Sequence, residues 1–295
     1  MRETGVFFLY LFGCLVLGAL LTYPLMQTGW IAHDPHLVMG RLAQVFILLG
    51  LWPFLKAMRL NDHQALGYAV PRPQFLNALW WGWLLGATLL SELALILLLL
   101  EIRLPTGEAD GRLIALIEMS VRALISGLLI GLLEETFFRG ALYSAVRRSS
   151  GANPAILWSS VLFALVHFMK PHALPEGVVL DLFGTWQLSV RVFTDAFQWR
   201  HLDSMVALSL VGVFLGLVRE RSGHIGWCMG LHASWIFVIQ MTRRLTDVHP
   251  SPDAPLVWLV GDYDGVIGWL AAGWIGLAAL GLWSFTRHRE RKRRV

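Results

Sequence analysis

The amino-acid sequence predicts an all-α polytopic membrane protein, a bundle of about eight transmembrane helices. Three observations carry that expectation: the composition, a series of apolar runs of membrane-crossing length, and the lysines and arginines between them. Of 295 residues, 56% are hydrophobic and 15% charged, and the mean hydropathy is +0.59. A soluble domain is nearer one quarter charged, because it must cover itself with water-compatible groups. The 14 tryptophans suit a bilayer protein, whose indoles gather at the two interfaces.

A helix needs about 20 mostly apolar residues to cross the hydrocarbon core. The runs are 5–26, 38–58, 77–100, 114–146, 152–169, 203–221, 223–241 and 264–286. The first has no strong basic segment before it and no small-residue cleavage pattern before Tyr23-Pro24, so it reads as a retained helix rather than a signal peptide. Lys56, Arg59 and Arg72 lie between runs two and three, Arg147 and Arg148 after run four, and Arg219 and Arg221 after run six. All fall on the side of the basic tail that starts at Arg287, whereas the loop 27–37 has neither Lys nor Arg. The loops 101–113 and 242–262 run against this pattern, with two arginines and with Arg243-Arg244. Both termini are therefore expected in the cytoplasm, with the protein in a bacterial inner membrane. The stretch 170–202 is too polar to span and reads as an interfacial amphipathic helix carrying Trp186 and Trp199. Cys14 and Cys228 both sit in apolar runs and cannot form a disulfide framework. The net charge of +4 comes largely from a tail that follows an apolar helix, so a topology anchor is expected and no nucleic-acid partner. Gly127/Gly131, Gly212/Gly216 and Gly226/Gly230 are candidate close-contact pairs between helices.

Ionisable groups inside a span cost at least about 2.5 kcal/mol each and mark functional sites by default. The densest case is Leu133-Glu134-Glu135-Thr136-Phe137-Phe138-Arg139-Gly140 in the fourth run. Glu135 and Arg139 are i,i+4 neighbours that can pair and offset each other's burial. Glu134 is turned about 100° away, which leaves one carboxylate free for chemistry. The fifth run ends with Phe163 and His167 on one face, and the seventh carries His232 and Ser234. At 1.5 Å per residue, Glu134, His167 and His232 lie about 20, 24 and 14 Å from the inner ends of their helices. Three groups on three helices thus fall near the bilayer midplane. A lone Glu or His would favour a structural polar network; two Glu, an Arg and two His at matching depths favour a site.

Glu134-Glu135-xxx-Arg139, then Phe163-xxx-His167, then His232 resembles the motif series of the CAAX prenyl endopeptidase and bacteriocin-processing family, also called CPBP or Abi. The resemblance covers roughly residues 115–245, so 1–113 reads as an N-terminal set of three helices, 114–245 as the peptidase core, and 246–295 as the last helix and basic tail. It implies peptide-bond hydrolysis inside the membrane. By position, Glu134 resembles the residue that activates water, with His167 beside it, and Glu135 and Arg139 resemble its supporting pair. His232 resembles an oxyanion or water-positioning group. The family often has Asn or another polar residue four positions after the last His; here that place is Ile236, and Ser234 is the nearest polar substitute.

The chemistry stands without the resemblance. A carboxylate held away from bulk water suits a general base, and two imidazoles can orient water and donate to an oxyanion. Two His and a Glu are also a catalytic zinc set. There is no His-Glu-xx-His, and Arg139 places a cation beside the ligands, so no cofactor is expected and zinc is the alternative. Serine and aspartyl chemistries fit poorly: Ser126-Gly127 lacks a convincing partner, and Asp262 and Asp264 share one interfacial turn. Glu92 is expected to pair with Arg122 or to wall the site. His224 and the outlying histidines read as interfacial. The expected partners are the lipid bilayer and a membrane-embedded or membrane-anchored peptide or protein substrate. The competing function is a non-catalytic scaffold or immunity-type protein in which the polar set only holds the bundle together.

Overall fold

The computed structural model describes residues 2–31, 33–106, 113–173, 181–251 and 254–294. It is an all-α membrane protein. The helices are α1 (Arg2–Gln27), α2 (Pro35–Ala57), α3 (Arg72–Leu99), α4 (Leu113–Ser150), α5 (Ala152–Phe168), α6 (Leu182–Ala196), α7 (Leu202–Ser222), α8 (Gly226–Leu245) and α9 (Trp269–Arg294). Among the described residues five stretches are long and apolar enough to cross a membrane: α1 to α4 and Trp199–Ser222, which contains α7. Ala152–Phe168 and Trp269–Phe285 are apolar but shorter. The seventh expected span, α8, is less apolar because it carries Gly226, Gly230, His232, Ser234 and Thr242, and it is buried between α3 and α4 rather than facing lipid. Its polar residues are sheltered by protein, which is how such a helix is tolerated at membrane depth.

The small-residue pairs make the helix contacts. Gly127 and Gly131 of α4 lie against Met229 and Ala233 of α8, and Gly212 and Gly216 of α7 lie against Ser160 and Ile156 of α5. The contact of Gly230 with α3 is closest: a Cβ there would overlap Leu79 O and come within 2.6 Å of Trp83 N. Two other glycines turn the chain between consecutive helices. Gly151 (φ +88°) separates α4 from α5 and Gly223 (φ +73°) ends α7, each in a positive-φ conformation that costs glycine nothing.

Three features depart from the sequence expectation. First, α4 is not uniform: Thr136–Leu142 is a π-helical segment that begins directly after Glu135. Gly140 within it packs on the Leu66 backbone, and the Arg139 carbonyl accepts a hydrogen bond from Arg219 Nε at 3.0 Å. Arg219 is therefore buried and structural, not one of the free charges that orient the bundle. Second, a two-stranded antiparallel sheet joins β1 (Arg103–Pro105) to β2 (Thr246–Val248), with Arg103 opposite Val248. It ties the end of α3 to the end of α8. Arg103 is buried in that tie, donating from Nε to Thr246 Oγ1 at 2.6 Å and from Nη1 to Gly265 O at 2.7 Å. Its use as an internal clamp explains why it ran against the charge pattern; Arg112 lies outside the described residues. Third, α6 occupies the polar 170–202 stretch, of which 174–180 lie outside the described residues. Its Leu188 and Val192 bury against Leu15 and Ala19 of α1, while Trp186 and Trp199 are exposed as expected for an interfacial segment.

Candidate active site

The polar groups of α4, α5 and α8 converge where the π segment of α4 meets α5 and α7. Glu135 and Arg139 are both fully buried, and Arg139 Nη1 lies 3.2 Å from Glu135 Oε1. The π-helical turn carries Arg139 inward until Nη2 donates to Gly212 O at 3.3 Å on α7. Its guanidinium stacks 4.2 Å from the centroid of Phe163. His232 Nδ1 is 2.8 Å from the same Glu135 Oε1. One buried carboxylate thus balances a buried cation and fixes an imidazole, which is the condition under which a buried ion pair is tolerated.

Glu134 points elsewhere, as the helical offset requires. Its side chain is 30% exposed, whereas that of Glu135 is 0% exposed. Its Oε2 atom is nevertheless buried and has no hydrogen-bond partner among the described residues. Two imidazole nitrogens face that oxygen: His167 Nε2 at 3.8 Å and His232 Nε2 at 3.9 Å. The opposite nitrogen of each ring is anchored. His167 Nδ1 lies 2.7 Å from Phe163 O, and because a carbonyl can only accept, Nδ1 carries the hydrogen. The Glu135 carboxylate fixes the His232 Nδ1 hydrogen in the same way. With the hydrogen on Nδ1, the neutral form of each ring presents its Nε2 lone pair to Glu134. Phe163 separates the two layers, with its ring centroid 4.5 Å from that of His167 and 5.7 Å from that of His232.

Glu134, Glu135, Arg139, Phe163, His167 and His232 are therefore brought together, and Ser234 is not. Ser234 is fully buried against Gly86 of α3, with its hydroxyl donating to Leu231 O at 2.7 Å. It lies two positions beyond His232 and so faces a different neighbour. Ile236 is half-buried one turn beyond His232, and no polar group of α8 takes its place. The sequence expectation for Glu92 is corrected: it is exposed on α3, and Arg122 pairs instead with Glu118, both on the surface. His224 is corrected as well. It is buried, and its Nδ1 accepts the Gly226 N–H at 3.2 Å. What the sequence did not reveal is the rim, where Lys170 Nζ donates to the Tyr263 hydroxyl at 2.8 Å. Tyr263 stands between Asp262 and Asp264, which drew attention only as acids. Among the described residues no three His, Cys, Asp or Glu side chains are grouped so as to share one metal ion. The donor set nearest to such an arrangement is Glu134, His167 and His232.

Residues 117–238 match the family model of the type II CAAX prenyl endopeptidase Rce1-like proteins. Over those residues the chain resembles that family. The matched segment runs from α4 through α8 and contains every residue of the converged set. No curated protein and no solved structure matches the chain. The similarity to the Rce1-like family supports intramembrane protease activity in general for this core, and the long apolar helices support an integral membrane protein. Such a protease acts on membrane-associated peptide substrates within the bilayer.

Proposed function

We propose that this protein hydrolyses a peptide bond of a membrane-associated protein or peptide with Glu134 as the base that activates water. The observation that carries the reading is the Glu134 Oε2 atom, buried, unpartnered and faced by two imidazole Nε2 atoms at 3.8 and 3.9 Å. Those separations exceed a hydrogen bond, which is about 2.7–3.2 Å. They suit two acceptors that each bond to one shared water at about 2.8 Å. Three acceptor atoms facing one another need a molecule that brings hydrogens, and water brings two.

In the reaction, Glu134 takes a proton as the water oxygen bonds to the scissile carbonyl carbon. The water's second hydrogen is held by an imidazole Nε2. The proton on Glu134 then passes to the amide nitrogen as the C–N bond breaks, giving a carboxylate and an amine. As the C–N bond breaks, the imidazole that holds the water's second hydrogen takes it at Nε2, which leaves the product as a carboxylate; at the position four residues beyond His232, α8 offers Ile236 rather than an amide to the oxyanion. Glu135, held by Arg139, keeps the His232 Nδ1 hydrogen in place and the ring in orientation. Zinc is the second reading, because Glu134, His167 and His232 are a ligand set of the right type, with Nδ1 atoms anchored as metal-bound histidines usually are. The adjacent Arg139 cation favours the metal-free form. We read both termini as cytoplasmic, on the exposed basic residues Lys56, Arg147, Arg148 and Arg221 near the ends of α2, α4 and α7.

Detergent-purified protein incubated with a library of membrane peptides tests the reading. Cleavage that disappears in Glu134→Gln, with the variant still folded, supports it. A wild type that cleaves nothing would leave the scaffold alternative, in which the polar set is structural.

A further inference from the structure

The outer end of α5 carries a second polar arrangement beside the site. The helix ends at Phe168, one residue beyond His167, and the chain then delivers Lys170 to the loop before α9. Lys170 Nζ donates to the Tyr263 hydroxyl at 2.8 Å and lies 4.7 Å from the centre of that ring. The Tyr263 ring packs on Phe168, 5.0 Å between centroids, so the phenol is fixed to the same helix end as His167. Lys170 is exposed, and among the described residues no Asp or Glu lies within ion-pair distance of it. The nearby Asp264 uses one carboxylate oxygen, Oδ1, to accept the N–H groups of Val266 and Ile267 at 2.9 and 2.7 Å.

Because the phenol oxygen accepts from the ammonium, its own hydrogen is free to donate outward. Burial pushes the Tyr263 phenol up, so that hydrogen stays on at neutral pH. The ammonium uses one of its three hydrogens on Tyr263. The pair therefore offers three donor hydrogens and a positive charge with no ion-pair partner among the described residues, which is the complement of a carboxylate. Lys170 is three residues from His167, so their Cα atoms are at most about 11 Å apart. A substrate chain rises about 3.3 Å per residue when extended, so a group a few residues from the scissile bond reaches Lys170. An acidic ligand entering this mouth is repelled by Glu134, and Lys170 offsets that repulsion.

We propose that Lys170 and Tyr263 form a carboxylate-binding subsite that fixes one end of the peptide substrate at the mouth of the Glu134 site. This assignment rests on the peptidase reading above. The carboxylate can come from a free chain terminus or from an acidic side chain, and the substrates are chosen to separate the two. Full-length protein in detergent is assayed on three otherwise identical peptides: one ending in a free carboxylate, one ending in an amide, and one amidated but carrying a glutamate near that end.

The wild type is expected to show a lower KM for one of the two acidic peptides than for the amide. Lys170→Met should reduce that preference about tenfold, which is about 1.4 kcal/mol, through KM rather than kcat. Lys170→Arg should restore most of it. Tyr263→Phe keeps the ring on Phe168 and should reduce the preference about threefold in the same way, which guards against a folding defect in the lysine variant. Lowering of all three peptides alike, or a change confined to kcat, overturns the subsite while leaving the peptidase reading intact. Equal KM values of the wild type for all three peptides overturn it too. Loss of all cleavage in Glu134→Gln tests the peptidase reading separately. A wild type that cleaves none of the peptides removes that reading, and the subsite with it.

Discussion

Replacing Arg139 by alanine strands the Glu135 carboxylate in the centre of the bundle. Both side chains are fully buried, so the loss is that of an unpaired interior charge, about 3–5 kcal/mol. The stacking of the guanidinium on Phe163 at 4.2 Å adds about 1–2 kcal/mol in a water-free setting. The hydrogen bond from His232 to Glu135 at 2.8 Å remains and keeps the total towards the lower end. Domains generally have about 5–15 kcal/mol in all, so Arg139→Ala should remove a large share of the margin. The assay is the yield of monodisperse protein in detergent together with its thermal midpoint. Arg139→Lys should recover part of the loss, because it restores a charge without the two-point reach to Glu135 and Gly212 O. Glu135→Gln combined with Arg139→Met should recover more than either single change predicts, since no buried charge is left. Wild-type yield and midpoint in Arg139→Ala, or a double variant no better than Arg139→Ala, would refute the reasoning.

Three further outcomes follow from the same structure. Gly230→Ala should lower stability by about 3 kcal/mol, because its Cβ meets the backbone of α3 rather than a movable side chain; an unchanged midpoint would contradict the packing. Burial, and then Arg219, push the His224 pKa down. Its folded value lies below an unfolded value of about 6.5, so its contribution is present above that pH and is lost as pH falls through the folded value. His224→Gln should therefore lose less thermal stability than wild type between neutral and acid pH, and parallel acid limbs would contradict this. Dialysis against a strong chelator should leave turnover unchanged, with less than stoichiometric zinc by elemental analysis. One zinc per chain, with activity lost on chelation and restored by the metal, would move water activation to the metal while keeping the protease.

The sequence was informative where the membrane makes residues costly. Apolar runs must be about 20 residues long, so α1 to α5 and α7 to α9 could be read off directly. Charges inside them need a partner or a use, so Glu134, Glu135, Arg139, His167 and His232 stood out. Features that depend on contacts between distant residues were not legible. The π-helical segment is stabilised by Gly140 on Leu66 and by Arg219 on the Arg139 carbonyl, and neither contact leaves a periodic trace. The β1–β2 tie is three residues on each side, too short to show alternation. Arg103 and Arg219 counted as membrane-orienting charges because a sequence does not distinguish a buried arginine from a solvated one. Ser234 was a candidate on chemical type, and its helical position sends it to Gly86 instead. Lys170 and Tyr263 are 93 residues apart and only the fold joins them.

The central claim is that Glu134 delivers water, and not itself, to the peptide carbonyl. Single-turnover hydrolysis in oxygen-18 water tests this most directly, with the product carboxylate and the Glu134 peptide both analysed by mass. The account predicts one heavy oxygen in the new carboxylate from the first turnover, none in Glu134, and a fall in rate of about 10²–10⁴-fold in Glu134→Gln. An unlabelled first product with the heavy oxygen in Glu134, or full activity in Glu134→Gln, would contradict it.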